Sequence, residues 1–313
     1  TPLACAIILR KYEPGVADDK RKEPSAVVME LLRGDTDPSG EVFVKGGCTT
    51  PLHMAVMNGD AVLVETLLLG GADPDVEDRY GLKPLDVAEK GVYFHLKPQD
   101  EIAKIIMSVT ASEGHKQALA RWKGQFRPVK QYPSGLPEDK DDALCQAAVF
   151  GDCHRIMELC NAGANPNCMR PARSDYKGPD TCLARVAAKG SARATALMVN
   201  HFKANPALQG PTSGQGPIHF AAKFGHANVM KQLLRSNVDK DSLVQAGETA
   251  TNEYTGYTAV MLSVKYSQPF TTLVLLQAGA RTDITAPDGK SVGALSHTET
   301  EQAKFIRDIL NQA

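Results

Sequence analysis

The stretch TTPLHMAVMNGDAVLVETLLLGGADPD (49–75) recurs, and that recurrence constrains the fold more than any other feature of the chain. DALCQAAVFGDCHRIMELCNAGANPN (142–167) matches it nearly position for position, with Ala147 for Ala55, Gly151 for Gly59 and GANPN for GADPD. GPIHFAAKFGHANVMKQLLRSNVDKD (216–241) repeats the frame, and TCLARVAAKGSARATALMVNHFKANPA (181–207) and TAVMLSVKYSQPFTTLVLLQAGARTDI (258–284) are more worn copies. Partial copies stand at TPLACAIIL with AVVMELLRGDTDP, at GLKPLDVAEKG with EIAKIIMSV, and at SVGALS with KFIRDILNQA, so about eight units fill the chain.

Each copy reads as two short helices and a turn. Thr50 can cap a free backbone N–H, and Pro51 suits the first helical position, where no donor is missed. Leu52, Ala55 and Val56 give the first helix an apolar face, and Gly59 ends it. Val62, Leu63, Leu67 and Leu68 recur at helical spacing in the second helix, which Gly70 and Gly71 stop. Asp73-Pro74-Asp75 then turns into a projecting loop that returns through Gly81. Two helices of about ten residues cannot cover their own apolar faces, so stacked neighbours must supply the core.

The chain therefore resembles the ankyrin repeat family, whose unit is about 33 residues and whose T-P-L-H-x-A signature stands here as Thr50, Pro51, Leu52, His53, Met54 and Ala55. Leu52 to Leu85 and Val260 to Gly293 are each 33 residues apart, while the other intervals of 49, 59, 39, 35 and 42 mark insertions. The resemblance implies an all-α solenoid of stacked helix-turn-helix units with projecting loops. It also implies that His53, and His219 in the same frame position, bond to neighbouring Thr or backbone groups. A catalytic histidine has no reason to recur at repeat spacing. The expected organisation is repeats in 1–110, a basic connector in 111–137 and further repeats in 138–313.

No phosphate-loop, dinucleotide, zinc-protease or nucleophile-elbow motif is present, so the expectation is a chain that is not an enzyme and needs no cofactor. GPTSGQGP (210–217) lacks the lysine of a phosphate cradle and reads as a flexible loop between repeats. Cys145, Cys153, Cys160 and Cys168, with His154 nearby, lack the C-x2-C knuckles that place two thiolates on one ion, and no metal is expected. Seven cysteines spread over 313 residues do not suggest a disulfide framework.

Net charge is -1, so nucleic acid or an anionic membrane would need a local patch, and no apolar run is long enough to span a bilayer. The chain begins TPLACA rather than with Met. The localisation expected by default is intracellular and cytoplasmic, with an organelle kept open by that N-terminus.

The expected activity is protein recognition through the concave surface and loop tips, which a repeat array holds in place. Candidate contacts just before each helix-ending position are Met57 and Asn58, Phe150, Lys189, Lys223 with Phe224, and Lys265 with Tyr266. The competing reading has Phe150, Phe224 and Tyr266 wedged between units. Arg79 and Tyr80 form a further candidate at a loop tip. Residues 111–133 hold Lys116, Arg121, Lys123, Arg127 and Lys130 against Glu113, together with the sole tryptophan, Trp122. Trp122 and Phe126 lie four apart, which favours a short helix docking on the array over single-stranded nucleic acid. The alternatives are an accessory subunit of a larger, perhaps organellar, assembly, nucleic-acid binding through that basic stretch, and a module cut from an enzyme whose catalytic domain lies elsewhere.

Overall fold

The computed structural model describes residues 3, 6–7, 26–33, 37–44, 47–90, 99–122, 137–169, 179–247, 253–296 and 300–312. The stretch 11–24, which separates TPLACAIIL from AVVMELLRGDTDP, lies outside them. The chain divides into two compact units, Thr1–Asp78 with Leu82–Arg127, and Arg79–Gly81 with Pro128–Ala313.

In the first unit, α1 (Ala26–Arg33) precedes a hairpin of β1 (Val42–Val44) and β2 (Gly47–Thr49), paired Val42 to Thr49 through Val44 to Gly47. Then come α2 (Pro51–Met57), α3 (Ala61–Leu69), α4 (Pro84–Lys90), α5 (Asp100–Ala111) and α6 (Glu113–Trp122). The hairpin and one isolated bridge between Met169 and Thr181 are the only β-pairing among the described residues. First helices pack side by side, α2 on α4, and second helices likewise, α3 on α5. Leu52, Leu63, Leu67, Leu68, Val87, Ile102 and Ile106 form the core between them. Each such fully buried side chain stabilises by about 1.5–3 kcal/mol.

The basic stretch contributes α6, which docks against α3. Near the start of that helix His115, buried, donates from Nδ1 to the Leu68 carbonyl at 2.8 Å. The side chain of Trp122, and Lys123, Phe126, Arg127 and Lys130 entirely, lie outside the described residues.

The second unit contains α7 (Lys140–Phe150) and α8 (Cys153–Asn161), α9 (Cys182–Lys189) and α10 (Ala192–Ala196) continued by a π-helical turn (Leu197–His201), α11 (Pro217–Phe224) and α12 (Ala227–Arg235), and α13 (Ala259–Lys265) and α14 (Pro269–Gln277). A single 3-10 turn (Gly293–Leu295) stands where a first helix would, followed by α15 (Glu301–Gln312). The first helices form a row, α7 on α9, α9 on α11, α11 on α13. Their small inner residues, Ala147, Ala148, Val186, Ala187, Ala221, Ala222, Val264 and neighbours, let the backbones approach, and all lie in one continuous core.

Caps set the helix starts. Thr50, Thr181 and Thr258 accept from the N–H three residues on in the first helices, and Asp60, Asp152 and Ser191 do so in the second. At the end of α9, Gly190 holds φ +89 and its Cα faces the His226 ring so closely that a Cβ would stand 2.7 Å from it, so only glycine fits.

The turns after the second helices carry a repeated hydrogen-bond scheme. The first turn residue accepts from the N–H two residues on, at Asp73 to Asp75, Asn165 to Asn167, Asn205 to Ala207 and Asp239 to Asp241, each at 2.9–3.0 Å. In two of these turns the third residue then reaches the next repeat. Asn167 Oδ1 accepts from the Asn205 N–H at 2.7 Å, and Asp241 Oδ1 from the Arg281 N–H at 2.8 Å.

The stretch GPTSGQGP, expected to be flexible, is instead pinned. Buried Asp180 sends one oxygen, Oδ2, to the N–H of Thr212 (3.1 Å), the N–H of Ser213 (2.9 Å) and the Ser213 hydroxyl (3.0 Å). A buried carboxylate is tolerated only when its lone pairs are used, and here the loop supplies the donors.

Candidate functional site

The row of first helices in the second unit ends in a row of side chains at equivalent positions: Phe150 on α7, Lys189 on α9, Lys223 and Phe224 on α11, and Lys265 with Tyr266 on and after α13. Phe150 is 68% exposed and Phe224 40% exposed, while Lys189, Lys223, Lys265 and Tyr266 are half-buried. Two of the three aromatic rings therefore face solvent, and the third packs inward.

Around the α11 and α13 ends, cations and rings interleave. Lys223 Nζ lies 4.6 Å from the Tyr254 ring centroid, 5.3 Å from that of Tyr266 and 5.8 Å from that of Phe224. Lys265 Nζ lies 5.1 Å from the rings of both Tyr254 and Tyr257. The Tyr254 and Tyr266 hydroxyls bond to each other, and burial raises the Tyr254 phenol above its ordinary range, so it stays neutral. Cation–π attraction grows as the pair is desolvated, which fixes both lysine heads among the tyrosines and holds that of Lys223 beside the exposed Phe224. Tyr254 and Tyr257 come from the insertion before α13; they were missed from sequence because no repeat position predicts them.

At the other end of the row, Phe150 borders a groove of about 480 Å³ lined by Pro137, Asp139, Asp142, Gln146, Asp152 and Arg155, among others. Arg155 pairs with Glu158 at 2.7 Å, and Asp139 and Asp152 cap α7 and α8. The groove is thus acidic beside a free aromatic ring.

In the first unit, Met57 and Asn58 are half-buried at the end of α2, with exposed Gly59 at φ +70 beyond them. Arg79 and Tyr80 group with the second unit; both are half-buried, the guanidinium 4.7 Å over the ring of its own neighbour.

The two frame histidines are buried and doubly bonded. His53 Nδ1 accepts from the Thr50 hydroxyl at 2.7 Å and Nε2 donates to the Leu82 carbonyl at 2.9 Å. His219 Nδ1 accepts from the Gly216 N–H at 3.0 Å and Nε2 donates to the Ser242 carbonyl at 2.9 Å. Each ring ties the start of a first helix to the following loop. Burial lowers the pKa of His53 and lowers that of His219 to about 4, so both are neutral at pH 7 and neither has a nitrogen left for chemistry.

The cysteines sort differently from the reading of the sequence. Cys145 and Cys168 do converge, but with Cys182 rather than with Cys153, Cys160 or His154. Sγ–Sγ distances are 2.9 Å for Cys145–Cys182, 3.0 Å for Cys168–Cys182 and 3.6 Å for Cys145–Cys168. All three thiols are buried.

A family model described as ankyrin repeats (3 copies) matches residues 144–244 and 187–288, and one described as ankyrin repeats (many copies) matches residues 35–88. Among curated proteins, the chain is 43% identical over 67 residues to "Potassium channel AKT3" of Oryza sativa subsp. japonica. That alignment covers 21% of this chain and 7% of the channel. Among the described residues no helix is long and apolar enough to cross a membrane.

Proposed function

The chain belongs to the ankyrin repeat family, and on that premise we propose that it is a non-catalytic protein-recognition module whose contact surface is the row of first-helix ends in its second unit. Ankyrin repeats are generally protein–protein interaction modules. The observation that carries the proposal is the exposure of Phe150 and Phe224 at equivalent positions on a rigid, capped frame. The solvent-facing part of each ring contributes little to the free protein, whereas the same surface seated in a partner's pocket is a characteristic anchor.

The electrostatics support a partner of matching polarity. The Phe150 end is acidic, with Asp139, Asp142 and Asp152, and the Phe224 end is cationic, with Lys223 and Lys265 held on their tyrosines. A partner segment basic at one end and acidic at the other fits that polarity, and a matched field favours encounter more than it adds affinity.

The test places a photo-crosslinking phenylalanine analogue at position 150 or 224 in the protein expressed in its own cells, and compares partner recovery by the F150A/F224A chain. One common protein crosslinked from both positions, with recovery by the double variant falling at least about tenfold, is the expected result; each anchor lost costs about 1–2 kcal/mol. No crosslink from either position, or unchanged recovery by the double variant, overturns the proposal.

A further inference from the structure

We propose that Cys145, Cys168 and Cys182 form a three-thiolate site for one Zn2+ ion, which staples the neck of the loop between α8 and α9. The three ligands come from three elements: the middle of α7, the turn after α8 and the first residue of α9. Their placement is fixed by the backbone as well as by packing. The Cys182 N–H donates to the Cys168 carbonyl at 3.3 Å, and Met169 and Thr181 form a β-bridge just beyond, so two of the ligands stand at the closed base of the loop.

Geometry favours a shared ion over a pair of thiols with a bystander. In a tetrahedral site with Zn–S of about 2.3 Å, sulfur atoms stand about 3.8 Å apart. The Cys145–Cys168 edge is already 3.6 Å, and the other two, at 2.9 and 3.0 Å, need only open by less than about 1 Å to reach that value. Three sulfurs this close crowd their lone pairs together, and a cation at the centre of the triangle removes that repulsion. The fourth position falls to a water or to the Asp141 carbonyl, which lies 3.5 Å from Cys168 Sγ.

Charge selects the ion. Arg185 is buried on α9, one turn beyond Cys182. Three thiolates, a divalent cation and one guanidinium sum to zero, while a monovalent ion leaves a net negative charge in the core, which burial penalises. Soft thiolate ligation suits Zn2+, and binding would release the protons of the thiols that ligate it.

The test uses the full chain purified under reducing conditions, stripped with chelator and titrated with Zn2+ or Co2+. One equivalent should bind, with sulfur-to-cobalt charge-transfer absorption, and three thiols should become protected from a thiol reagent. Cys168→Ser should weaken Zn2+ binding at least about 100-fold, since losing even a partner that only orients a ligand costs 10–100-fold. Cys160→Ser should leave it unchanged. X-ray absorption of the Zn2+-loaded wild-type chain, which needs no variant to fold, should give a shell of three sulfurs. Absence of stoichiometric metal, equal binding by Cys168→Ser, a shell dominated by nitrogen and oxygen, or a disulfide within the trio in metal-free protein would each overturn the proposal.

Discussion

Acidification should weaken the second unit through two neutral histidines. His219 and His226 are both buried, and burial holds the pKa of each at about 4 against the ordinary 6.5. Each keeps Nε2 on a carbonyl, His219 on Ser242 at 2.9 Å and His226 on Ala188 at 3.0 Å. Because the folded pKa is the lower one, the unfolded chain takes up the proton first. The stabilisation is therefore complete above about pH 6.5 and lost as pH falls towards 4. Between pH 7 and pH 5.5 each histidine should cost about 1 kcal/mol, so the pair should cost about 2 kcal/mol. Urea unfolding followed by circular dichroism at the two pH values measures this, repeated on His219→Gln, whose amide can still donate to Ser242. The variant should lose about half of the pH dependence. A stability that does not change between pH 7 and 5.5, or an unaltered dependence in His219→Gln, would refute the assignment of these rings as buried neutral donors.

Two further outcomes follow from the frame. Gly190→Ala should destabilise by about 3 kcal/mol, from the left-handed backbone and the 2.7 Å approach to His226 together, read as a lower urea midpoint at unchanged slope. Asp180→Ala removes three hydrogen bonds to the 212–213 backbone and hydroxyl and should cost about 3 kcal/mol; hydrogen exchange at the Thr212 and Ser213 amides should accelerate, and unchanged protection there would count against the pinning.

Where a residue serves the repeat, its role could be read from the chain. The caps at Thr50, Thr181 and Thr258, the small inner residues of the first helices and the Asp73-Pro74-Asp75 turn all recur, so local chemistry and tertiary packing point the same way. What escaped was chemistry assembled across repeats. Cys182 begins a worn copy and lies 14 residues from Cys168 and 37 from Cys145, so no knuckle spacing could announce the trio. Asp180 gave no sign in sequence that it would hold 210–216, because its partners are backbone donors 32 and 33 residues away. Tyr254 and Tyr257 sit in an insertion and become meaningful only beside the two lysines. The contact of α6 through His115 is of the same kind, since its acceptor is the last-turn carbonyl of α3.

The hydrogen bonds that run from a turn to the next repeat act as a latch whose keeper varies. At Asn167 and Asp241 a side-chain oxygen receives the N–H that opens a later turn, and Ser39 Oγ does the same for the Asp73 N–H at 2.7 Å. Ala207 occupies that position in the turn between Asn167 and Asp241 and has no side-chain acceptor to offer Asp239. There Gln209, two residues on, donates from Nε2 to the Leu243 carbonyl at 3.0 Å and accepts at Oε1 from the Gln245 N–H at 3.2 Å. The latch belongs to the junction rather than to one turn residue, so a worn repeat can lose its Asn or Asp and stay tied to the next.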